Sequence, residues 1–155
     1  MKLSEKAIRK ILIDWYRAWD NHDLDGVIEL FHDDILFENW TGGHVEGKES
    51  LRKAWAPWFA AHGDFKFIEE ETFIDVSAQK VLYRWALEWP SREWGFEGGR
   101  ERRRGVDVLH FRDDKISKKL TYSKTVIEID NKRVALRASP AHVLSDGSAV
   151  AEPSR

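Results

Sequence analysis

Apolar residues recur every three or four positions in the first third of the chain, which is the period of a helix with one buried face. In the first such segment they are Ile8, Ile11, Leu12, Trp15 and Trp19. Ser4 precedes this segment, and its hydroxyl can accept a hydrogen bond from a free backbone N–H group at a helix start. The pattern therefore predicts a first helix that begins just after Ser4.

The same periodicity predicts two further helices. Asp23 can cap a short second helix. Its buried side would hold Val27, Ile28, Leu30 and Phe31. A third helix is predicted to end at Gly63, and Pro57 should bend it because proline lacks a backbone N–H group. Between the second and third helices, residues 35–40 are β-prone and predict a short strand, and residues 41–47 predict a loop.

After Gly63 the hydrophobic period shortens toward two, which indicates strands. The strand candidates are 65–76, 80–90, 102–114 and 115–129, with a hairpin joining the last two. Helices followed by strands predict an α+β fold, with the helices packed on one face of a curled antiparallel sheet. We expect one domain over residues 1–130. Residues 131–155 are small and polar, so we expect them to form a flexible extension.

Composition narrows the classes of function. The 155 residues include no cysteine, which excludes thiol nucleophiles and thiolate zinc sites and fits a cytoplasmic protein. A net charge of −2 provides no general attraction to nucleic acid or to an anionic membrane, so neither is expected as a partner. The basic cluster over 100–104 is expected to be a solvated strand edge. The spacing of the histidines predicts no metal site, and we expect no cofactor.

Asp107 stands out because it interrupts an apolar strand, "GVDVLHFRDDKI" over residues 105–116. Strand alternation places Asp107, Leu109 and Phe111 on one face. A carboxylate in a poorly hydrated site costs several kcal/mol unless it has a partner. Asp107 is therefore either a pocket carboxyl that holds or moves a proton, or an edge residue bonded to a backbone amide or paired with Arg84.

The order of three helices and a long-stranded meander, with the segment "RGVDVLHFRDDKISKKLTY", resembles the SnoaL-like branch of the NTF2-like superfamily over residues 4–125. Polyketide cyclases and ketosteroid isomerases belong to that superfamily. The resemblance implies a cone: a strongly curved antiparallel sheet that three N-terminal helices close around an apolar pocket. It also implies a homodimer through the outer sheet face. Asp107 looks like the pocket acid of these families.

Other catalytic candidates follow from the resemblance. In epoxide hydrolase relatives an arginine lines the pocket, which predicts that Arg84 points inward as a hydrogen-bond donor. The alternation over 80–90 alone predicts the opposite, with the aromatic face inward. Tyr16 is a second candidate donor. His44 is a candidate base, with Glu38 and Glu46 as alternatives.

Two departures argue against epoxide hydrolysis by the mechanism of those relatives. Ala86 stands where they carry a carboxylate, and Lys124 stands where the closing strand carries an acid.

The chain holds eight tryptophans and eight phenylalanines, so rings either fill the core or line a cavity. The candidate cavity walls are Trp15, Trp19, Trp40, Trp55, Trp58, Phe59 and Leu109. These observations predict a protein that binds a small hydrophobic carbonyl compound and moves a proton next to the carbonyl, as isomerases, cyclases and dehydratases do. The alternative is a non-catalytic binding or dimerisation module of the same fold.

Overall fold

The computed structural model describes residues 1–136, which form three helices and a sheet of eight strands. The helices are α1 (Glu5–Asp20), α2 (Leu24–Glu29) and α3 (Lys48–Ala61). The strands are β1 (Phe31–Glu38), β2 (His44–Glu46), β3 (Lys66–Asp75), β4 (Lys80–Pro90), β5 (Arg100–Arg112), β6 (Lys115–Ser123), β7 (Val126–Ile129) and β8 (Lys132–Ala135).

Side-chain caps fix the first two helices where the sequence predicts them. Ser4 Oγ accepts from the Ala7 backbone N–H at 3.1 Å, and Asp23 Oδ1 accepts from the Gly26 N–H at 2.9 Å. Such caps satisfy backbone donors that have no partner inside the helix. The third helix contains Pro57, as expected.

The sheet has the order β2-β1-β6-β5-β4-β3, and β7 pairs with β5 and β8. It curls strongly into a half-barrel over the helices, which confirms the predicted α+β cone. Among the described strands the ladders are antiparallel except for β1–β6, which is parallel. A parallel pair needs a long connection, and the stretch from β2 to β5 supplies it here.

The structure differs from the sequence prediction in several places. Phe31, predicted on the buried side of the second helix, is the first residue of β1, which spans Phe31–Glu38 rather than the predicted 35–40. The predicted loop over 41–47 contains the short strand β2, which pairs with β1. The predicted strand over 115–129 divides into β6 and β7. The second of these, β7, pairs with a different part of β5, at Glu101 and Arg102. The strand β8 lies beyond the predicted domain boundary at residue 130. The rest of the predicted extension, 137–155, lies outside the described residues.

The core lies between the helices and the inner face of the sheet. Strand β4 turns its aromatic face inward, as alternation alone predicts. The buried residues of that face are Val81, Tyr83, Trp85, Leu87 and Trp89. Asp107, Leu109 and Phe111 of β5 are buried on the same inner face. No helix within residues 1–136 has both the length and the apolar character needed to cross a lipid bilayer.

Candidate functional site

Asp107 is buried on the inner face of the sheet, with only 2% of its surface exposed. In the antiparallel ladder it lies opposite Thr121 of β6. The Thr121 hydroxyl donates to Asp107 Oδ1 at 2.6 Å, and Lys119 Nζ donates to the same oxygen at 3.2 Å. Lys119 Nζ also donates to Thr121 Oγ1 at 2.7 Å. The three side chains form a closed triangle, which we call the Asp107 cluster.

Tyr83 of β4 joins this cluster from the other side, because it lies opposite Asp107 in the β4–β5 ladder. Its hydroxyl accepts from Trp15 Nε1 at 3.0 Å and interacts with the neighbouring Asp107 carboxylate. Burial, together with the negative charge of Asp107, raises the pKa of Tyr83 well above its usual value. Tyr83 therefore keeps its proton and serves as a hydrogen-bond donor.

Lys119 is 6% exposed, an unusual position for a lysine. Its ammonium lies 5.0 Å from the ring centroid of Phe37 and 5.8 Å from that of Trp55. Burial lowers the pKa of Lys119, while the neighbouring Asp107 carboxylate opposes that shift. The site thus pairs a buried acid with a buried amine.

The sequence analysis missed Lys119. A signal for it was present, because the hairpin between β5 and β6 places Thr121 opposite Asp107. Alternation along β6 then brings Lys119 to the same face. The exact partner of Asp107 also depends on the register shift between His110 and Phe111. No local sequence pattern indicates that shift.

The Asp107 cluster lies beside a small aromatic cavity of about 30 Å³, which is room for about one water molecule. Its lining residues are Trp19, Phe37, Asn39, Trp40, Trp55, Trp58, Phe67, Trp85, Lys119 and Thr121. Asp107 does not line the cavity itself. It reaches the cavity through Lys119 and Thr121.

Three of the tryptophans that line this cavity carry buried indole N–H groups with no hydrogen-bond acceptor among residues 1–136. They are Trp19, Trp58 and Trp85. A buried donor without a partner costs about 1–3 kcal/mol. Three residues that line the cavity therefore carry an indole N–H group that the described protein leaves without an acceptor.

A larger groove of about 430 Å³ lies next to the cavity, between α1 and β3. Trp15, Tyr16 and Tyr83 line the groove, and Trp19 and Phe67 line both spaces. The ring centroids of Trp19 and Phe67 are 5.1 Å apart. These two rings separate the groove from the cavity.

A second buried ionic cluster lies behind Trp40. Arg103 is 2% exposed and its Nε donates to Glu101 at 2.9 Å, while an NH2 group donates to Glu93 at 3.1 Å. The guanidinium lies 5.0 Å from the ring centroid of Trp40 and 5.5 Å from that of Trp89. The prediction of a solvated basic edge is wrong for Arg103, because alternation along β5 turns residues 101 and 103 inward.

The family model of the SnoaL-like domain matches residues 12–119 of this chain. The match extends from α1 into β6 and includes both Asp107 and Lys119. The chain belongs to the SnoaL-like family. No curated protein sequence matches this SnoaL-like chain at a significant level.

Solved structures agree with the SnoaL-like assignment. An NTF2-like protein of Mesorhizobium loti is 22% identical with a TM-score of 0.61, covering 77% of this chain and 92% of its own. RV0760c of Mycobacterium tuberculosis, in complex with estradiol-17beta-hemisuccinate, is 22% identical with a TM-score of 0.62, covering 75% and 92%. The epoxide hydrolase/cyclase-like enzyme SalBIII, with a role in pyran ring formation in the polyether salinomycin, is 17% identical with a TM-score of 0.67, covering 78% and 93%. At these identities the likeness shows the fold.

The SnoaL-like domain brings only some of the predicted catalytic residues to the cavity. The prediction that Arg84 points inward is wrong: its side chain is 50% exposed on the outer face, 3.1 Å from Glu71. The large apolar side chains of β4 occupy the inner face, and the alternation leaves Arg84 outside. Asp107 is accordingly partnered by Lys119 and not by Arg84.

The other two predicted catalytic residues lie away from the cluster. His44 is exposed on β2. Tyr16 is half-buried in the wall of the groove, and its hydroxyl lies 3.1 Å from Thr72 Oγ1. Burial is the main cause that raises the pKa of Tyr16. Tyr16 is therefore a groove residue of the SnoaL-like fold.

Among the predicted cavity walls, Trp19, Trp40, Trp55 and Trp58 line the cavity. Trp15 lines the groove, Leu109 is fully buried in the core, and Phe59 packs beside Trp19 with ring centroids 5.1 Å apart. Within the described part of the chain, no group of three or more His, Asp or Glu residues is placed to hold a metal ion.

Proposed function

We propose that this SnoaL-like protein binds a small hydrophobic carbonyl compound at the aromatic cavity and moves a proton at the carbon next to the carbonyl. The observation that carries the proposal is that three cavity-lining tryptophans hold indole N–H groups with no acceptor among residues 1–136, with the buried amine of Lys119 in the same wall. A carbonyl oxygen accepts hydrogen bonds and donates none, so it complements such a wall.

The Asp107 cluster provides the groups that this chemistry needs. Removing a proton next to a carbonyl places negative charge on the oxygen, and a cation or N–H donor nearby stabilises that charge. Lys119 lines the cavity and takes the donor role that the sequence assigned to Arg84. Asp107 is the acid/base, acting through the hydroxyl of Thr121, which lines the cavity. Isomerisation, cyclisation and dehydration share this step.

The groove provides a route to the cluster. Its volume of about 430 Å³ falls in the usual range of ligand sites, about 300–1,000 Å³, whereas the cavity alone is far smaller. Because Trp19 and Phe67 line both spaces, movement of either ring joins them. A flat molecule would then lie in the groove with its carbonyl at Lys119. The steroid ester bound to RV0760c supports a flat apolar ligand through the shared fold.

One observation favours a second function, a binding or dimerisation module without catalysis. The rings leave only about 30 Å³ inside the cone, as expected of a packed core. The outer face of the sheet also presents an apolar row across four strands, formed by Phe73, Leu82, Val108 and Leu120. We propose that this row pairs two copies of the chain in a homodimer.

We also propose that the protein is cytoplasmic, because a sequence without cysteine fits a reducing compartment.

Hydrogen–deuterium exchange of acetophenone distinguishes the two functions. In D₂O, an enzyme of the proposed type accelerates loss of the methyl proton signal in ¹H NMR, and Asp107→Asn loses that acceleration. His44→Gln is the matched control and should exchange like the wild type. Circular dichroism verifies that each variant folds. Exchange at the rate of buffer alone with wild-type protein, or undiminished exchange in Asp107→Asn, would reject the catalytic proposal.

A further inference from the structure

The hydrogen bonds around Lys119 suit an uncharged amine as well as an ammonium. Nζ has two acceptors in the protein, Asp107 Oδ1 at 3.2 Å and Thr121 Oγ1 at 2.7 Å. An uncharged amine has two N–H groups, so it can keep both bonds and still retain a lone pair. Because Lys119 also lines the cavity, that amine borders the space where a ligand would sit.

Burial disfavours the charged form of Lys119 and lowers its pKa, against the opposing effect of the Asp107 carboxylate. The ring faces of Phe37 and Trp55 also attract the cation, so burial is the effect that lowers the pKa. Asp107 Oδ1, 3.2 Å from Lys119 Nζ, is placed to accept a proton from the ammonium when the reaction begins. That transfer gives Lys119 a free lone pair and leaves the proton on Asp107 for the later step. Desolvated lysines of this kind act as nucleophiles toward carbonyl carbons.

We infer that Lys119 forms a covalent imine with the carbonyl carbon of an aldehyde or ketone bound at the cavity. The inference rests on the proposed carbonyl ligand and gives Lys119 a second role, as nucleophile. An iminium ion withdraws electrons more strongly than a carbonyl, so it makes the neighbouring C–H bond easier to deprotonate. Covalent attachment would thus assist the proton transfer assigned to Asp107.

The step balances without any further reactant. The Lys119 lone pair forms a C–N bond to the carbonyl carbon, the C=O π pair moves to oxygen, and a proton passes from nitrogen to oxygen to give a carbinolamine. The nitrogen lone pair then expels the hydroxyl group, which takes a proton from the Asp107 carboxylic acid and leaves as water. The products are an iminium ion, water and the Asp107 carboxylate.

Reductive trapping with benzaldehyde and cyanoborohydride tests this inference on the full-length protein. Benzaldehyde has no hydrogen on the carbon next to its carbonyl, so trapping does not depend on proton transfer. At neutral pH we expect one benzylated lysine per chain, located at Lys119 by peptide mass mapping and distinguished there from benzylation of the exposed α-amino group of Met1. Each unit by which the pKa of an amine falls raises its uncharged fraction about tenfold at a pH below that pKa, so Lys119 should react before the exposed lysines.

Matched variants sharpen the test. Lys119→Arg should lose the adduct, whereas Lys118→Arg, which changes the exposed neighbour on the same strand, should keep it. If Lys119→Arg fails to fold, the peptide map of the wild type still decides. Adducts spread over exposed lysines with Lys119 unmodified would overturn the inference.

The two proposals fail separately. If the protein accelerates acetophenone exchange but benzaldehyde is not trapped on Lys119, the acid/base role of Asp107 is supported and the imine proposal is rejected. If benzaldehyde is trapped on Lys119 but acetophenone exchange is not accelerated, the nucleophilic role of Lys119 is supported and the proposed proton transfer is rejected.

Discussion

Lys119 Nζ and Asp107 Oδ1 lie 3.2 Å apart, and both side chains are almost wholly withdrawn from solvent. A buried pair of this kind gives little net stability over an apolar pair, yet loss of one partner strands the other charge. The pair is therefore better explained by a function that needs both groups than by its contribution to folding.

The first prediction concerns the coupling within this pair. Lys119→Met and Asp107→Asn should each lower the free energy of unfolding by about 3–5 kcal/mol, because each leaves a buried partner unpaired. The double variant should lose less free energy of unfolding than the sum of the two single losses, by about 0.5–3 kcal/mol. Urea denaturation of the four proteins measures the difference. Lys118→Met combined with Asp107→Asn is the control and should be additive; additivity in the Lys119 cycle would contradict the pairing.

The second prediction concerns pH. Because the pKa of Lys119 is lowered in the folded protein, the unfolded chain binds a proton there that the folded chain has released. Stability should rise with pH between the lowered pKa and the ordinary lysine value of about 10.4, and be flat for this group below that window.

Lys119→Met, which keeps Asp107 beside Tyr83, serves as the reference for this pH effect. Tyr83, with its raised pKa, lowers stability above pH of about 10 in both proteins and cancels. The unfolding free energy of the wild type should therefore climb relative to the reference through the alkaline window. Parallel pH curves would count against a shifted Lys119.

The third prediction separates two arginines of opposite burial. Arg103→Met should cost about 3–5 kcal/mol, because it leaves Glu101 without its buried cation. Arg84→Met should cost at most about 1 kcal/mol, because its ion pair with Glu71 is exposed. Both are read from urea unfolding at neutral pH. Equal costs would show that Arg103 is not held as described.

The fourth prediction tests the wall between groove and cavity. Trp19→Leu should join the two spaces and so tighten the binding of acetophenone. NMR titration of the protein with acetophenone measures the affinity. The substitution should lower the free energy of unfolding by less than about 3–5 kcal/mol, the loss typical of a buried Trp→Ala change. Phe59→Leu is the control because Phe59 lines neither space. Unchanged affinity in Trp19→Leu would indicate that Trp19 does not bar the route.

The fifth prediction tests the apolar row on the outer sheet face. Leu82→Glu should convert the proposed homodimer into a monomer, because a charge in the row would be buried at the interface. Size-exclusion chromatography with light scattering measures the mass. Lys6→Glu on the exposed side of α1 should leave the mass unchanged. A wild-type protein that is monomeric at high concentration would remove this proposal.

Local rules predicted much of the fold. Ser4 and Asp23 marked the helix starts because capping depends on residues three positions apart. Alternation alone pointed the aromatic face of β4 inward. The family resemblance predicts the wrong direction for Arg84, because a shared cone does not fix the direction of one side chain, whereas alternation along β4 places Arg84 on the outer face.

The unpredicted parts of the site depend on contacts between distant segments. Lys119 meets Asp107 only through the register of β5 and β6, which includes a shift between His110 and Phe111. Alternation along β5 turns Arg103 inward, and Glu93, from the loop after β4, reaches it there. Neither the β5–β6 register nor the contact with Glu93 leaves a periodic signal in the sequence.

The parallel pairing of β1 with β6 has a consequence for biosynthesis. Phe37 of β1 lies beside Lys119 of β6, so β1 leaves the ribosome long before its partner is made. At ordinary rates of translation that interval lasts on the order of seconds. Throughout it, α3 can cover the face of β1 while one edge of the strand stays open to other nascent chains. The last step of closing the cone, and with it the assembly of the Asp107 cluster, must therefore follow the synthesis of β6.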